Sequence, residues 1–337
     1  MAVSNDILLA VENLKVYFHG EGPVVRAVDG VDFNIHRRET VCIVGESGCG
    51  KTVTALAILG LLNQPPAQIA DGRMVFDGHA LLDLRSSKLR ALRGRRIGMI
   101  FQEPMTSLNP VFTIGDQIDE AILAHEPVSR TEAARRTRKL LAEVGLHDPD
   151  RRACDYPHQL SGGQRQRVMI AMALACNPDL VIADEPTTAL DVTVQARILA
   201  LLHELKERGK MALAYITHDL GVVAAIADKV YVMYAGTMVE QGATGHIFGK
   251  ARHPYTMALL NALPTREKRG QRLYSIPGSV PHPAYKPAGC PFHPRCDHRQ
   301  AACRRDYPEM CNYGEGHLAR CPVIYQTIDP RKEPRTA

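Results

Sequence analysis

The eight residues Gly45-Glu46-Ser47-Gly48-Cys49-Gly50-Lys51-Thr52 constrain the fold of this chain more than any other segment. Four residues stand between two glycines, and Lys51 and Thr52 follow, which is the spacing of a phosphate-binding loop. The loop follows a short apolar run, Thr40–Val44, and precedes residues 52–62, which we predict to be a helix ended by Asn63-Gln64-Pro65-Pro66. A strand, this loop and a helix in succession predict an α/β fold with a buried sheet.

Each residue type in the loop has a task in binding a nucleotide. The glycines allow backbone N–H groups to turn towards phosphate oxygens, and the helix that follows directs its positive end at the same phosphates. Lys51 brings a positive charge to the β and γ phosphates, and the Thr52 hydroxyl is a ligand suited to Mg²⁺. We therefore assign nucleotide binding to Gly45, Ser47, Gly48, Cys49, Gly50, Lys51 and Thr52.

A second apolar run ends in two acidic residues, Leu180-Val181-Ile182-Ala183-Asp184-Glu185. Asp184 ends the predicted strand, where a carboxylate can reach the Mg²⁺ shell. Glu185 follows directly and is placed to polarise an attacking water. We therefore predict Asp184 as a metal ligand and Glu185 as a catalytic residue for hydrolysis.

The composition is that of a globular protein with a core. A length of 337 residues suggests about two domains, and a formal net charge of +5 is too mild to indicate nucleic acid. The N-terminus has no signal-peptide pattern, and the longest apolar run, residues 168–176, is about half a membrane span. We expect a cytosolic chain, held at a membrane only by a partner, with its nine cysteines not in disulfides.

The pattern along the chain predicts three regions. Residues 7–35 alternate and predict antiparallel strands with a turn near Gly20-Glu21-Gly22. Residues 111–178 look mostly helical, including a helix over 135–145, and strands return at Leu180 and at residues 212–216. Beyond about residue 250, prolines and cysteines become frequent and periodicity fades, which indicates a loop-rich extension.

Five further motifs lie in a fixed order around the phosphate loop. They are Tyr17, Gln102 in Phe101-Gln102-Glu103-Pro104, Leu160-Ser161-Gly162-Gly163-Gln164, Ala189-Leu190-Asp191, and His218 in Thr217-His218-Asp219. Together with the loop and the Asp184-Glu185 pair, they resemble the nucleotide-binding subunits of ATP-binding cassette transporters. The resemblance covers residues 7 to about 245.

The resemblance implies a role for each motif. Tyr17 stacks on adenine, Gln102 contacts the Mg²⁺ and the attacking water and senses the membrane partner, and His218 contacts the γ-phosphate. Asp191 belongs to a loop that crosses a dimer interface. The segment from Ser161 to Gln164 caps the ATP held by the partner subunit, so ATP closes a head-to-tail dimer and hydrolysis to ADP and phosphate reopens it.

The fold implied is a P-loop (RecA-like) ATPase core with an N-terminal antiparallel β subdomain, an α-helical insert and a loop-rich C-terminal extension. We predict an ATPase domain over residues 1–250, with the helical subdomain at about 105–178, and an extension over 251–337.

Three segments indicate one branch of this family, the importers of dipeptides and oligopeptides. They are Gln102-Glu103-Pro104-Met105-Thr106-Ser107-Leu108-Asn109-Pro110, Arg252-His253-Pro254-Tyr255-Thr256 and Ile276-Pro277-Gly278-Ser279-Val280-Pro281. The resemblance implies a heterodimer with a second, homologous ATPase, two membrane permease subunits, an external substrate-binding protein and a peripheral position at the cytoplasmic face of the inner membrane. Nickel and glutathione importers share the branch, so the cargo stays open.

Five of the nine cysteines lie after residue 289 and indicate a metal site. Cys290, Cys296, Cys303 and Cys321 are separated by five, six and seventeen residues, and thiolate clusters in a reducing compartment suit zinc or iron–sulfur. The resemblance implies a [4Fe-4S] cluster on these four, with Zn²⁺ or no metal as alternatives. Cys311, His293, His298 or His317 is able to replace one of the four.

Two other functional classes remain possible from the sequence. One is a soluble cassette ATPase in DNA repair or translation, although such proteins are larger or carry two cassettes, and we expect no nucleic-acid partner. The other is a redox- or iron-sensing role of the extension, which is compatible with transport.

Overall fold

In the computed structural model, the segments of alternating or continuous apolar sequence form strands, and those with helical periodicity form helices. The structure describes residues 6–103, 107–188, 191–264, 268, 270, 272 and 274–324. The strands are β1 (Ile7–Phe18), β2 (Val25–His36), β3 (Thr40–Val44), β4 (Ala67–Phe76), β5 (His79–Ala80), β6 (Ile97–Ile100), β7 (Leu180–Asp184), β8 (Ala212–Thr217), β9 (Lys229–Tyr234), β10 (Thr237–Ala243), β11 (Cys311–Asn312) and β12 (Leu318–Ala319). The helices are α1 (Lys51–Ile58), α2 (Ser86–Leu92), α3 (Ile114–Leu123), α4 (Arg130–Glu143), α5 (Pro149–Arg152), α6 (Gly162–Leu174), α7 (Val192–Gly209), α8 (Leu220–Ile226), α9 (Thr244–Lys250) and α10 (Pro254–Asn261).

The described residues form two compact units whose sequences interleave. The first unit takes its residues from Met1–Leu8, Ile35–Glu39 and Leu81–Tyr215. The second takes them from Leu9–Asn34, Thr40–Ala80 and Ile216–Ala337. Residues before and after position 250 both contribute to the second unit, and the domain boundary given above stays a prediction.

The second unit contains an antiparallel sheet with the strand order β2-β1-β4-β5. Leu9 lies opposite Phe76 and Val16 opposite Ile69 in the register of β1 and β4. The side chains of Leu9, Val16 and Phe76 are buried and that of Ile69 is half-buried, which gives the sheet an apolar face. The prediction of strands over residues 7–35 with a turn near Gly20-Glu21-Gly22 is confirmed.

The phosphate loop follows a strand of another sheet in the same unit, with the order β11-β12-β10-β9-β3. All residues of β3 are buried, and β3 is parallel to β9, with Val41 opposite Lys229. The extension contributes β11 and β12, and Ala319 of β12 pairs with Glu240 of β10. The extension, which was predicted to be loop-rich, therefore also adds two strands to the sheet that contains β3.

The first unit contains the strand order β8-β7-β6 and the helices α2 to α7. Strands β6 and β7 are parallel, with Ile97 opposite Leu180. The predicted helical region is confirmed, and Ile114, Ile118 and Ile122 of α3 are fully buried on one face.

Two predicted helix boundaries differ from the observed ones. Helix α1 ends at Ile58, four residues before the predicted end at 62, because Gly60 takes the left-handed φ of 59° that stops a helix. Helix α4 begins at Arg130 rather than 135, because the Ser129 hydroxyl accepts the Glu132 N–H as an N-terminal cap.

Within the residues that the structure describes, no helix has both the length and the apolar character needed to cross a membrane.

Candidate functional site

The phosphate loop folds tightly between β3 and α1. The Lys51 ammonium donates hydrogen bonds to the carbonyl oxygens of Gly45 at 2.7 Å and Glu46 at 3.1 Å, and is buried. Ser47 and Thr52 are exposed at the loop surface. The hydroxyl-bearing residues Ser47 and Thr52 are therefore at the surface of the loop, whereas the Lys51 ammonium is buried within it.

Close backbone approaches explain two of the loop glycines. A Cβ atom on Gly45 would lie 2.2 Å from the Met233 carbonyl oxygen, and one on Gly50 would lie 2.4 Å from that of Ala27. Gly50 also has a φ of 104°, and Gly48 one of 78°. These positions need glycine because a side chain would collide or strain the backbone.

The side chain of Cys49 points into the interior beneath the phosphate loop. The side chain is fully buried, and burial raises the pKa of its thiol. It also stands near the Lys51 ammonium, with Nζ and Sγ 3.8 Å apart. Only the backbone of Cys49 is therefore available to a phosphate.

Gln102 and Glu185, two of the residues predicted to take part in hydrolysis, contact each other in the first unit. Gln102 Nε2 donates to Glu185 Oε2 at 3.3 Å, and the Thr188 hydroxyl donates to the same oxygen at 3.0 Å. Asp184, one residue earlier, ends β7 and is only 2% exposed. The carboxylate predicted to bind Mg²⁺ is thus buried, whereas the carboxylate predicted to act on water lies at the end of the strand beside Gln102.

The segment from Ser161 to Gln164 starts α6 as a reciprocal cap. The Ser161 hydroxyl accepts the Gln164 N–H at 3.4 Å, and the Gln164 side chain accepts the Ser161 N–H at 2.9 Å. Ser161 and Gly162 are exposed and Gly163 is half-buried. Since a hydroxyl both accepts and donates, Ser161 can cap its own helix and donate to an anion.

Asp191 caps α7, accepting the Val194 N–H at 2.9 Å and the Thr193 hydroxyl hydrogen. These hydrogen bonds lower the pKa of the Asp191 carboxyl, the one from the Thr193 hydroxyl more than the one from the Val194 N–H. His218 follows β8 and is exposed. Their interface and phosphate roles stay predictions. Ala189, Leu190, Pro104, Met105 and Thr106 lie outside the described residues.

Tyr17 is half-buried at the end of β1. Its hydroxyl donates to Asp29 Oδ1 at 2.8 Å, and the Arg26 guanidinium lies 5.8 Å from the ring centroid. Burial, followed by the hydrogen bond to Asp29 and the charge of that carboxylate, raises the pKa of Tyr17 to about 12. The ring is therefore fixed at its polar end.

Three of the four predicted cysteine ligands lie together in the extension, and Cys296 is not among them. Cys290, Cys303 and Cys321 line one cavity of about 180 Å³. The pKa of the Cys321 thiol is raised to about 12, first by burial and then by the charges of the other three predicted ligands. Among the residues that the structure describes, no three His, Cys, Asp or Glu side chains are arranged to hold a metal ion.

Two of the four alternative ligands, His317 and His293, have other hydrogen-bond partners. His317 shares a 2.7 Å hydrogen bond with the buried Glu240, and His293 Nδ1 bonds the Cys290 carbonyl oxygen at 2.9 Å. Cys311 is buried in β11 and does not line the cavity. Cys296, one of the four predicted ligands, does not line the cavity either, so the choice among these ligands stays a prediction.

Sequence reasoning missed three residues of the extension that touch the nucleotide-binding region. Arg295 pairs with Glu46 of the phosphate loop, the Tyr255 hydroxyl accepts the Glu46 N–H at 2.9 Å, and Lys286 pairs with Asp29 at 3.3 Å. The Arg295 and Glu46 side chains are 249 positions apart in sequence, so no local spacing pattern links them.

Two family models match the chain. The ABC transporter model matches residues 28–188, which include the phosphate loop, the Ser161 segment and Asp184-Glu185. The model of the oligopeptide/dipeptide transporter C-terminal region matches residues 239–303.

Similar proteins extend over nearly the whole chain. A peptide ABC transporter ATP-binding protein of Sinorhizobium fredii is 51% identical over 317 residues, covering 94% of this chain and 95% of the relative. The dipeptide transport ATP-binding protein DppD of Bacillus subtilis is 48% identical and covers 93% of this chain and 94% of its own length. The dimeric bacterial ABC transporter cassette MJ0796 superposes with a TM-score of 0.63 at 29% identity, covering 70% of this chain and 98% of that one. The chain belongs to the ATP-binding subunits of ABC transporters, in the oligopeptide and dipeptide transporter group.

Proposed function

We propose that this chain binds and hydrolyses ATP to drive the import of dipeptides or oligopeptides through a membrane permease. The hydrogen bond between Gln102 and Glu185 carries the catalytic part, because it joins the two side chains expected at an attacking water. Similarity to peptide transport proteins over more than nine-tenths of the chain, including the extension, supports the cargo class.

Each site residue has a proposed part in the reaction. Lys51 and the backbone of the phosphate loop bind the phosphates, and His218 contacts the γ-phosphate. Asp184, Thr52 and Gln102 are oxygen ligands of the kind that Mg²⁺ takes, and the burial of Asp184 at a strand end suits a cation. Mg²⁺ supplies charge neutralisation to the phosphates. Glu185 orients and polarises the water.

The site is complete only in a dimer. Ser161 to Gln164 and Asp191 serve ATP bound to a second, homologous ATPase subunit, with the exposed Ser161 hydroxyl as donor. The further partners are two permease subunits and, indirectly, an external substrate-binding protein. The chain is then a peripheral protein at the cytoplasmic face of the inner membrane, and nucleic acid is not a partner.

The test is the variant Glu185→Gln in the assembled complex. We expect ATP binding to persist and turnover to fall by about two to four orders of magnitude, the usual contribution of a general base. Peptide uptake by proteoliposomes should stop with it. Normal steady-state ATPase activity in the variant would contradict the role of Glu185. Uptake of nickel or glutathione instead of peptides would show that the chain has the same coupling role in an importer of that cargo.

We also propose a [4Fe-4S] cluster on Cys290, Cys296, Cys303 and Cys321. The spacing of the four in the sequence supports it, and three of them, Cys290, Cys303 and Cys321, line one cavity. A single tetrahedral Zn²⁺ needs sulfurs only about 3.8 Å apart, given a Zn–S bond of about 2.3 Å. A four-iron cluster holds its thiolates farther apart, and the cavity of about 180 Å³ beside three of the four offers more room than a single ion requires.

Metal content decides between these possibilities. Anaerobically purified protein should contain about four iron and four sulfide per chain and absorb broadly near 400 nm, as thiolate-bound iron–sulfur does. Stoichiometric zinc without sulfide would support the zinc alternative, and the replacement of all four cysteines by serine should remove either metal.

A further inference from the structure

The phosphate loop contains an acidic residue that is neutralised from the extension. Glu46 immediately follows the first loop glycine, and its carboxylate accepts two hydrogen bonds from Arg295 Nη1, at 3.0 and 3.1 Å. A carboxylate in a loop that binds a triphosphate repels its ligand unless a cation compensates it. Arg295 supplies that cation from 249 positions away in the sequence.

Arg295 is itself rigidly held. Its side chain is only 6% exposed, its Nε donates to the Pro277 carbonyl oxygen at 2.8 Å, and its guanidinium lies 5.8 Å from the centroid of the Tyr234 ring. A buried arginine with this many fixed contacts loses little conformational freedom when it binds a carboxylate. The pair is therefore part of the folded framework and not a loose surface ion pair.

The main chain of Glu46 is also held from the extension. The buried Tyr255 hydroxyl accepts the Glu46 N–H at 2.9 Å. Side chain and backbone of one loop residue are thus both fixed by residues that follow the ATPase domain in sequence.

The extension makes a second contact of the same kind beside Tyr17, another motif residue of this unit. Lys286, nine positions before Arg295, pairs with Asp29 at 3.3 Å, and Asp29 accepts the Tyr17 hydroxyl. The Pro283 carbonyl oxygen also accepts the Arg26 N–H at 3.3 Å. The segment 277–295 therefore touches the supports of both the phosphate loop and the aromatic residue.

We propose that Arg295 is a positioning residue of the ATP site, which neutralises Glu46 and so permits the phosphate loop to bind a polyanion. The inference rests on the proposed assignment of ATP to this loop. Arg295 directly precedes Cys296, so the cysteine-bearing extension would contribute to the affinity of the chain for ATP.

A double-mutant cycle on the full-length chain tests the proposal. Arg295→Met should weaken ATP binding about tenfold, the effect of about one uncompensated, partly screened charge. Glu46→Gln alone should change the affinity less than threefold, and the double variant should recover most of the loss. Arg304→Met, which removes an exposed arginine of the same cysteine segment, is the matched control.

The rescue separates charge compensation from a folding defect. Thermal unfolding of all variants is measured in parallel, and Arg295→Lys is a second variant that keeps the charge and should retain more affinity than Arg295→Met. An unchanged ATP dissociation constant in Arg295→Met, or a double variant as weak as that single one, would overturn the proposal. If the wild-type chain bound no ATP, the proposed function would fail first and this inference with it.

Discussion

At the scale of single residues, Glu185 shows how backbone and side-chain geometry combine. Its φ of 45° lies in the left-handed region, which costs a non-glycine residue about 1 kcal/mol or more. The buried β7 before it and the hydrogen bonds from Gln102 and Thr188 hold it there. This conformation turns the chain at the strand end, so Asp184 and Glu185 occupy different environments although they are adjacent.

Cysteine reactivity follows from burial at the same scale. Cys154 is exposed, whereas Cys42 and Cys49 are fully buried and burial raises the pKa of both thiols. Because the thiolate is the reactive form, we expect a maleimide at pH 7 to modify Cys154 long before Cys42 or Cys49. Peptide mass spectrometry over time measures this order, with Cys154→Ser as the control. Rapid modification of Cys49 in the folded protein would contradict the buried position.

At the scale of elements, the start of α6 joins stability and function in one side chain. Ser161 caps the helix through the Gln164 N–H and also exposes its hydroxyl beyond the helix N-terminus. An exposed helix N-terminus with two glycines attracts anions, because its N–H groups carry partial positive charge. The same geometry that starts the helix therefore suits a phosphate of the partner's ATP.

Two substitutions separate these roles of Ser161. Ser161→Ala removes the cap and should lower the free energy of unfolding by about 1 kcal/mol. Ser161→Asp keeps a good cap but places a negative charge where the partner's ATP is expected, so stability should be retained. We expect both variants to lose ATPase activity in the assembled complex. Denaturant unfolding and ATPase assays measure the two effects, and an active Ser161→Asp variant would contradict the phosphate role.

At the scale of the whole molecule, local features were predictable and distant pairings were not. The phosphate loop, β3 and the acidic end of β7 follow from spacing and apolar runs, and the structure has these elements where they were expected. The contact of Arg295 with Glu46 and that of His317 with Glu240 depend on how the extension folds back. No periodicity in a proline- and cysteine-rich tail encodes such pairings.

The docking of the extension has a pH dependence that can be measured for the whole chain. His253 caps α10, and its Nδ1 accepts the Tyr255 N–H at 3.1 Å, so this nitrogen must be unprotonated in the folded state. Burial lowers the pKa of His253 to about 4, although the nearby Glu240 carboxylate raises it somewhat. The unfolded chain, with a histidine pKa of about 6.5, then binds more protons than the folded chain between about pH 4 and 6.5.

Stability should therefore decrease as the pH falls through this window. Between pH 7.5 and 5, His253 should lower the free energy of unfolding by about 2 kcal/mol. His253→Asn keeps a side-chain acceptor for the Tyr255 N–H but does not titrate, so its stability should fall less over the same range. Urea unfolding of both proteins at the two pH values gives the difference directly, and it cancels the contributions of all other titrating groups. Equal losses in the two proteins would contradict both the lowered pKa of His253 and the role of its Nδ1 as the acceptor of the Tyr255 N–H.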